Sequence, residues 1–138
     1  MTIEADVRTL VLNWLNKSQE AEEGANVLLE HQMWSAGVSR LYYAVFYAVS
    51  ALLALRKSSF GKHSAVRASL HRDFIKTGIL PIEAGMIYNR LFEWRQKADY
   101  DAFLEIDKEM AYDLLQQAGH VLKTFRQQAE LELKEGED

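Results

Sequence analysis

Three groups of side chains in this sequence have the type and spacing to do chemistry. The first is Arg95-Gln96-Lys97-Ala98-Asp99-Tyr100-Asp101. Arg95 and Asp99 are four residues apart, so on one helical turn they can meet. A guanidinium held this way matches two phosphate oxygens at once. The same pair also fits a salt bridge closing a helix, with the tyrosine plugging a bundle. The second group is Ser39-Arg40-Leu41-Tyr42-Tyr43. Arg40 stands at the mouth of the most apolar stretch, where an arginine is either paired with a carboxylate or aimed into a polar cleft. Asp99 is its candidate partner. Tyr42, Tyr43 and Tyr47 read as core and rim residues with hydrogen-bonded hydroxyls rather than as catalytic groups. The third group is the basic segment 56–76, where Arg56, Lys57, Lys62, Arg67, Arg72 and Lys76 face Asp73 alone. His63, Arg67 and His71 recur every four residues along it, which describes either an anion or nucleic-acid face or a solvated helix face.

Several chemistries are disfavoured. There is no cysteine, hence no disulfide framework, thiolate nucleophile or thiolate metal site; this suits a reducing cytoplasm. His31, His63, His71 and His120 are scattered and form no helical metal-ligand pair. The glycines are isolated, so no phosphate-cradling loop is present, and no serine has a nucleophile-elbow context. No metal and no cofactor is expected. A net charge of −4 over 138 residues argues against a strongly basic nucleic-acid binder while leaving a local basic patch open. The N-terminal segment is acidic before it is apolar, unlike a secretory leader.

The elements that must position these groups are helical. Residues 41–55, LYYAVFYAVSALLAL between Arg40 and Arg56, contain no polar stripe, and a helix apolar all round is buried on most sides. The run is too short and too closely fenced by charge to cross a bilayer, so the reading is a central bundle helix over about 33–56. Apolar residues at steps of three, four and seven predict further helices over about 5–30, 63–77, 81–98 and 103–132. Ser35, Ala36, Gly37 and Ser39 suit a close helix–helix approach. Gly24 either weakens the first helix or admits a neighbour. Gly78 suits a helix C-cap, Pro81 the first turn of the fourth helix, and Asp101 the cap of the last. The inner faces of the third and fourth helices are read as Val66, Leu70 and Phe74, and as Ile82, Met86, Leu91, Phe92 and Trp94. The expected architecture is all-α: a mostly antiparallel bundle of four long helices plus a shorter one, in one domain over 1–132, with an acidic tail at 133–138 that frays into solvent.

Ser39-Arg40-Leu41-Tyr42-Tyr43-Ala44-Val45-Phe46 on a buried helix resembles the HEPN domain family (higher eukaryotes and prokaryotes nucleotide-binding). Gly61-Lys62-His63-Ser64 opening the next helix and Arg95-x-x-Ala98-Asp99-Tyr100 beyond it agree in order and distance, and the likeness covers about residues 10–130. The resemblance implies a compact helical bundle that often dimerises, and pairing with a minimal nucleotidyltransferase in two-component, toxin–antitoxin-like modules. Many members are metal-independent ribonucleases carrying an arginine followed, four to six residues on, by a histidine. Here Arg95 is followed at those positions by Tyr100, Asp101 and Ala102. Neither a phenol with pKa near 10 nor a carboxyl near 3.9 replaces imidazole at neutral pH. The leading expectation is therefore a non-catalytic protein binding a nucleotide or RNA phosphate through Arg40, Tyr43, Lys62, His63, Arg95, Asp99 and Tyr100, with a nucleotidyltransferase partner. A ribonuclease using Arg95 with His63 or Tyr100, and a dimeric scaffold without a ligand, are the alternatives.

Overall fold

The computed structural model describes residues 3–58 and 61–136. In chain order the elements are α1 (Ala5–Glu30), α2 (Trp34–Leu55), α3 (His63–Leu70) with a π-helical turn (His71–Ile75), α4 (Ile82–Tyr100) and α5 (Lys108–Glu135). This is the all-α bundle of four long helices and a shorter one that the sequence predicts. Ser59 and Phe60, within the expected 57–62 loop, and the last two residues of the expected tail lie outside the described residues.

α1 and α2 form a hairpin reversed at His31–Gln32, where Gln32 adopts φ 62°. At Gly37 the two helices pack tightly: a Cβ there would stand 2.5 Å from Leu29 Cδ2. The small residues opening α2 therefore do what their size suggests. α2 is the centre. Leu41, Tyr42, Ala44, Val45, Ala48, Val49, Ala51 and Leu52 are fully buried between α1, α4 and α5. By length and composition it could cross a membrane, but most of it is buried inside the bundle. Its burial is incomplete along one strip, where Tyr43, Phe46, Tyr47 and Ser50 are half-buried.

Several local expectations are corrected. The third helix widens after Leu70 into the π turn, with Lys76 N–H bonded five residues back to His71 C=O at 2.8 Å. Gly78 follows at φ +80°, as a C-terminal cap requires. Pro81 lies just before α4, with ψ 152°, rather than inside its first turn. Ile82 and Met86 are 72% and 65% exposed; the buried face is Ala84, Ile87, Tyr88, Leu91 and Phe92. α4 continues through Ala98-Asp99-Tyr100 and stops at Asp101. Asp107, not Asp101, caps α5, accepting from Met110 N–H at 2.8 Å, whereas Asp101 accepts from Phe103 N–H within the connection. Phe103 is thus outside the helix and 94% exposed. The last helix runs on to Glu135, with Leu133 buried against Val11, Ala51 and Ala54, so residues 133–135 are helical. On α1, Leu10 is part-exposed while Ser18 is buried, its Oγ donating to Ala44 C=O at 2.8 Å.

Candidate functional site

The half-buried strip of α2 is where the sequence-predicted residues meet. Tyr43 lies one turn beyond Arg40, so both share a face of the helix. α4 runs beside α2 and delivers Arg95. Its Nη2 donates to Tyr43 Oη at 3.0 Å, and its Nε approaches Asp99 Oδ2 at 2.8 Å. That second contact is an ion pair without hydrogen-bond alignment, and Nε, though buried, has no aligned acceptor. The guanidinium carbon stands 5.5 Å from the Tyr42 ring and 5.4 Å from the Tyr43 ring. The side chain is only 15% exposed. A cation so held has lost much of its rotamer freedom before any ligand arrives.

Arg40 is not paired with Asp99. It lies over the other aromatic partner, its guanidinium carbon 5.3 Å from the Tyr43 ring, and no carboxylate pairs with it among the described residues. The i,i+4 geometry within α4 gives Asp99 to Arg95 instead.

α3 brings the histidine. His63 is its first residue, stacked on Phe46 at 4.3 Å and 13° and packed against Tyr42 and Tyr43. Its Nδ1 is 2.7 Å from Tyr42 Oη. Burial, with lesser contributions of both signs, pushes the Tyr42 hydroxyl up to about 12, so it stays protonated across the physiological range. The His63 pKa is lowered, first by burial and then by the positive charge of Arg95. A neutral imidazole facing a protonated phenol is best paired by Tyr42 O–H donating to Nδ1, which leaves the ring proton on Nε2. Tyr88 backs this pair. Burial raises its hydroxyl well above the ordinary value; it bears on the ionisation of Tyr42 but makes no aligned hydrogen bond.

Not every candidate joins the cluster. Lys62 precedes α3 at its N-cap and is exposed, next in sequence to His63. Tyr100 follows Asp99 but is 80% exposed at the end of α4. The His63–Arg67–His71 stripe is not one ligand face. Arg67 lies 4.0 Å over the Phe92 ring and His71 Nε2 pairs with Asn89 Oδ1 at 2.9 Å, so both are tied to α4. Sequence reasoning missed Phe46, which fixes the imidazole, and the role of Tyr47, although its spacing from Arg40 and Tyr43 on one helical face was a usable signal. A concavity of about 490 Å³ lies elsewhere, on the α1–α5 side around Asn16, Gln19, Glu22 and Arg126; it holds none of the cluster. Among the described residues no group of His, Asp and Glu could hold a metal ion.

The arrangement offers a fixed guanidinium, a neutral imidazole and tyrosine hydroxyls on one half-exposed face, which suits hydrogen bonding to an oxyanion. Comparison with known proteins agrees with the motifs that converge there. A UPF0332 protein of Thermotoga maritima is 41% identical over 105 residues, covering 76% of this chain and 80% of its own length. "Putative toxin MJ0142" of Methanocaldococcus jannaschii is 38% identical over 107 residues, covering 78% and 72%, and a second protein of that organism with the same style of name is 28% identical over 95 residues, covering 69% and 71%. The family model described as the HEPN domain matches residues 11–128, and the chain belongs to that family.

Proposed function

We propose that this protein is the HEPN member of a cytoplasmic, two-component, toxin–antitoxin-like module, that it binds the phosphate of a nucleotide or RNA at Arg95, and that a minimal nucleotidyltransferase is its protein partner. The toxin in the names of two relatives supports the module. The observation that carries the phosphate reading is the preset Arg95. Tyr43 and Asp99 hold Nη2 and Nε, while Nη1 makes no hydrogen bond among the described residues and remains for a ligand. His63 and Arg40 pack on the same Tyr43 ring as Arg95. The protein acts by binding rather than by cutting. A histidine is missing from the positions after Arg95, and the tautomer favoured by Tyr42 gives His63 a donor, not a base, on its outer nitrogen. The proposal includes homodimerisation of the chain.

Thermal unfolding of wild type and Arg95→Ala against nucleotides and short RNAs tests this. A ligand at 100 times its dissociation constant adds about 2.7 kcal/mol, a rise of several degrees for a domain of this size. A rise in wild type that vanishes in Arg95→Ala is expected. No rise with any ligand, or an equal rise in the variant, refutes the phosphate site. RNA cleavage in the presence of chelator that is lost in Arg95→Ala would refute the non-catalytic reading.

A further inference from the structure

The face of α4 that turns away from the Arg95 cluster is uncovered, and its two ends are chemically opposite. Ile82, Met86, Glu93, Lys97 and Tyr100 are exposed at steps of three, four and seven, which is one side of a helix. Arg95, bonded to Tyr43 of α2, is two residues on from Glu93, about 200° around the helix at 3.6 residues per turn. α5 runs antiparallel beside the uncovered face, with Glu83 3.8 Å from His120 and Arg90 3.0 Å from Asp113. One end of the face is therefore the start of α4 and the other is the α4–α5 connection.

The start of α4 is a socket. Ile79, Ile82 and Met86 are exposed, and Met86 and Ile87 line a concavity of about 370 Å³ with Glu83, Arg90 and Gln117. Lys123 stands one turn beyond His120 on α5, and Lys76 follows Ile75, which lies against Gly85. Both lysines are exposed, and neither has a carboxylate partner among the described residues. The connection is a plug. Phe103 is 94% exposed, yet its backbone is held. Its N–H donates to Asp101 Oδ1 at 2.9 Å, Leu104 N–H donates to Asp101 C=O at 3.2 Å, and Ile106 is buried on the far side. An exposed ring on an ordered turn keeps its burial energy for a contact outside the chain. Around it Asp101, Glu105, Asp107 and Glu109 are exposed, against Lys108 alone.

We infer that the α4–α5 face is where two copies of this chain meet, across a two-fold axis that seats Phe103 of each copy in the Met86 concavity of the other. The inference rests on the homodimerisation proposed above and assigns it a surface. From Met86 to Tyr100 α4 rises about 21 Å at 1.5 Å per residue, so the plug and socket of one chain cannot meet each other. A second copy joins them, and a two-fold makes both contacts at once and closes the assembly. With the two α4 helices antiparallel across the axis, the register that sets position 103 at position 86 also sets Glu93 beside Lys97 of the other copy. The acidic connection meets the end that carries Lys76 and Lys123. Charge is thus complementary along the whole face, and the acids around Phe103 repel a polyanion. Arg95 stays on the far side of α4, so the dimer leaves the phosphate site open.

Light scattering of the intact protein over a range of concentrations, repeated on Phe103→Ser and Met86→Glu, tests the interface. Both positions are exposed, so both variants should keep the wild-type circular dichroism. The two-fold uses each residue twice, so either change should weaken the dimer about a hundredfold or more. A second measurement keeps Phe103 and Met86 in place. The chain has no cysteine, so Ala102→Cys beside the plug and Glu83→Cys beside the socket each carry a single thiol. A short bismaleimide cross-linker should join the two variants in an equimolar mixture and leave each one alone uncoupled, because like positions stand about 20 Å or more apart across the axis. A wild-type dimer indifferent to both substitutions, or a mixture that cross-links no better than either variant alone, overturns this interface and leaves homodimerisation standing. A wild type that is monomeric at every concentration overturns both.

Discussion

Gly37 and Gly24 are both helical glycines, and the structure assigns them opposite responses to alanine. A Cβ on Gly24 meets nothing within 4 Å. Gly24→Ala therefore collects only the backbone benefit, about 1 kcal/mol of added stability for a helix interior. A Cβ on Gly37 would stand 2.5 Å from Leu29 Cδ2 and 2.7 Å from Leu29 Cγ. Leu29 is 1% exposed, so it cannot swing into solvent, and overpacking of this kind costs about 1–3 kcal/mol. Set against a propensity gain of about 1 kcal/mol, Gly37→Ala should come out between neutral and about 2 kcal/mol destabilising. The cleaner quantity is the gap between the variants, about 1–3 kcal/mol, because propensity largely cancels in it. Urea unfolding reads it as a change in midpoint at constant slope. In the double variant Gly37→Ala/Leu29→Ala the clash is removed, so its cost should be less than the sum of the single costs. Equal stability of Gly37→Ala and Gly24→Ala, or strict additivity in the double variant, would refute the claim that α1 and α2 are jammed together at this point. The matter bears on the site, because that hairpin spacing sets Trp14 and Lys17 against Tyr47, beside Tyr43.

Other outcomes follow from single contacts. Asp107→Ala, which removes the acceptor for Met110 N–H, should cost about 1 kcal/mol, and Asp101→Ala measurably less; urea midpoints compare them directly. Lowering the pH should cost wild type more stability than His63→Gln. The unfolded His63 takes up its proton near 6.5 and the folded ring only at lower pH, so within that window the unfolded state binds more protons and is favoured as pH falls. NMR titration of the ring Cε1 proton locates the folded value, and in Arg95→Ala it should move upward, because one of its two depressing causes is gone.

The periodic segments of the sequence were enough for α1 and α2 to within a residue or two, since α1 shows a long apolar face and α2 has no polar one. α4 was harder. Ile82, Met86 and Trp94 describe one apolar line and Ile87, Tyr88, Leu91 and Phe92 another, and only packing against α2 and α5 decides between them. Asp101 and Asp107 are equally plausible caps by residue type. Burial of Ile106 ties down the connection and leaves the second aspartate at the helix start. In the site, the Arg95–Asp99 pair was legible because it is local. Its bond to Tyr43 spans 52 residues and the Tyr42–His63 bond spans 21, and no spacing rule within one helix reports contacts at such range. For Arg40 the sequence left a carboxylate partner, Asp99, or a polar cleft open; the guanidinium lies over the Tyr43 ring instead of pairing with Asp99.

Why the site opens where it does follows from helix lengths. α2 has 22 residues and α3 has eight, about 33 Å against about 12 Å at 1.5 Å per residue. The long helices α1, α4 and α5 can flank α2 along much of its length; α3 covers only a fraction of the remaining side. A core helix written without a polar stripe must then leave aromatic side chains half-exposed where cover is missing, as Tyr43, Phe46 and Tyr47 are. An uncovered apolar strip carries an aggregation risk. Here Arg40, Lys17 and Arg95 lie against its rings, keeping the strip wettable without closing it. The same arrangement suits the anionic ligand proposed above, which reaches Arg95 without any change in the bundle behind.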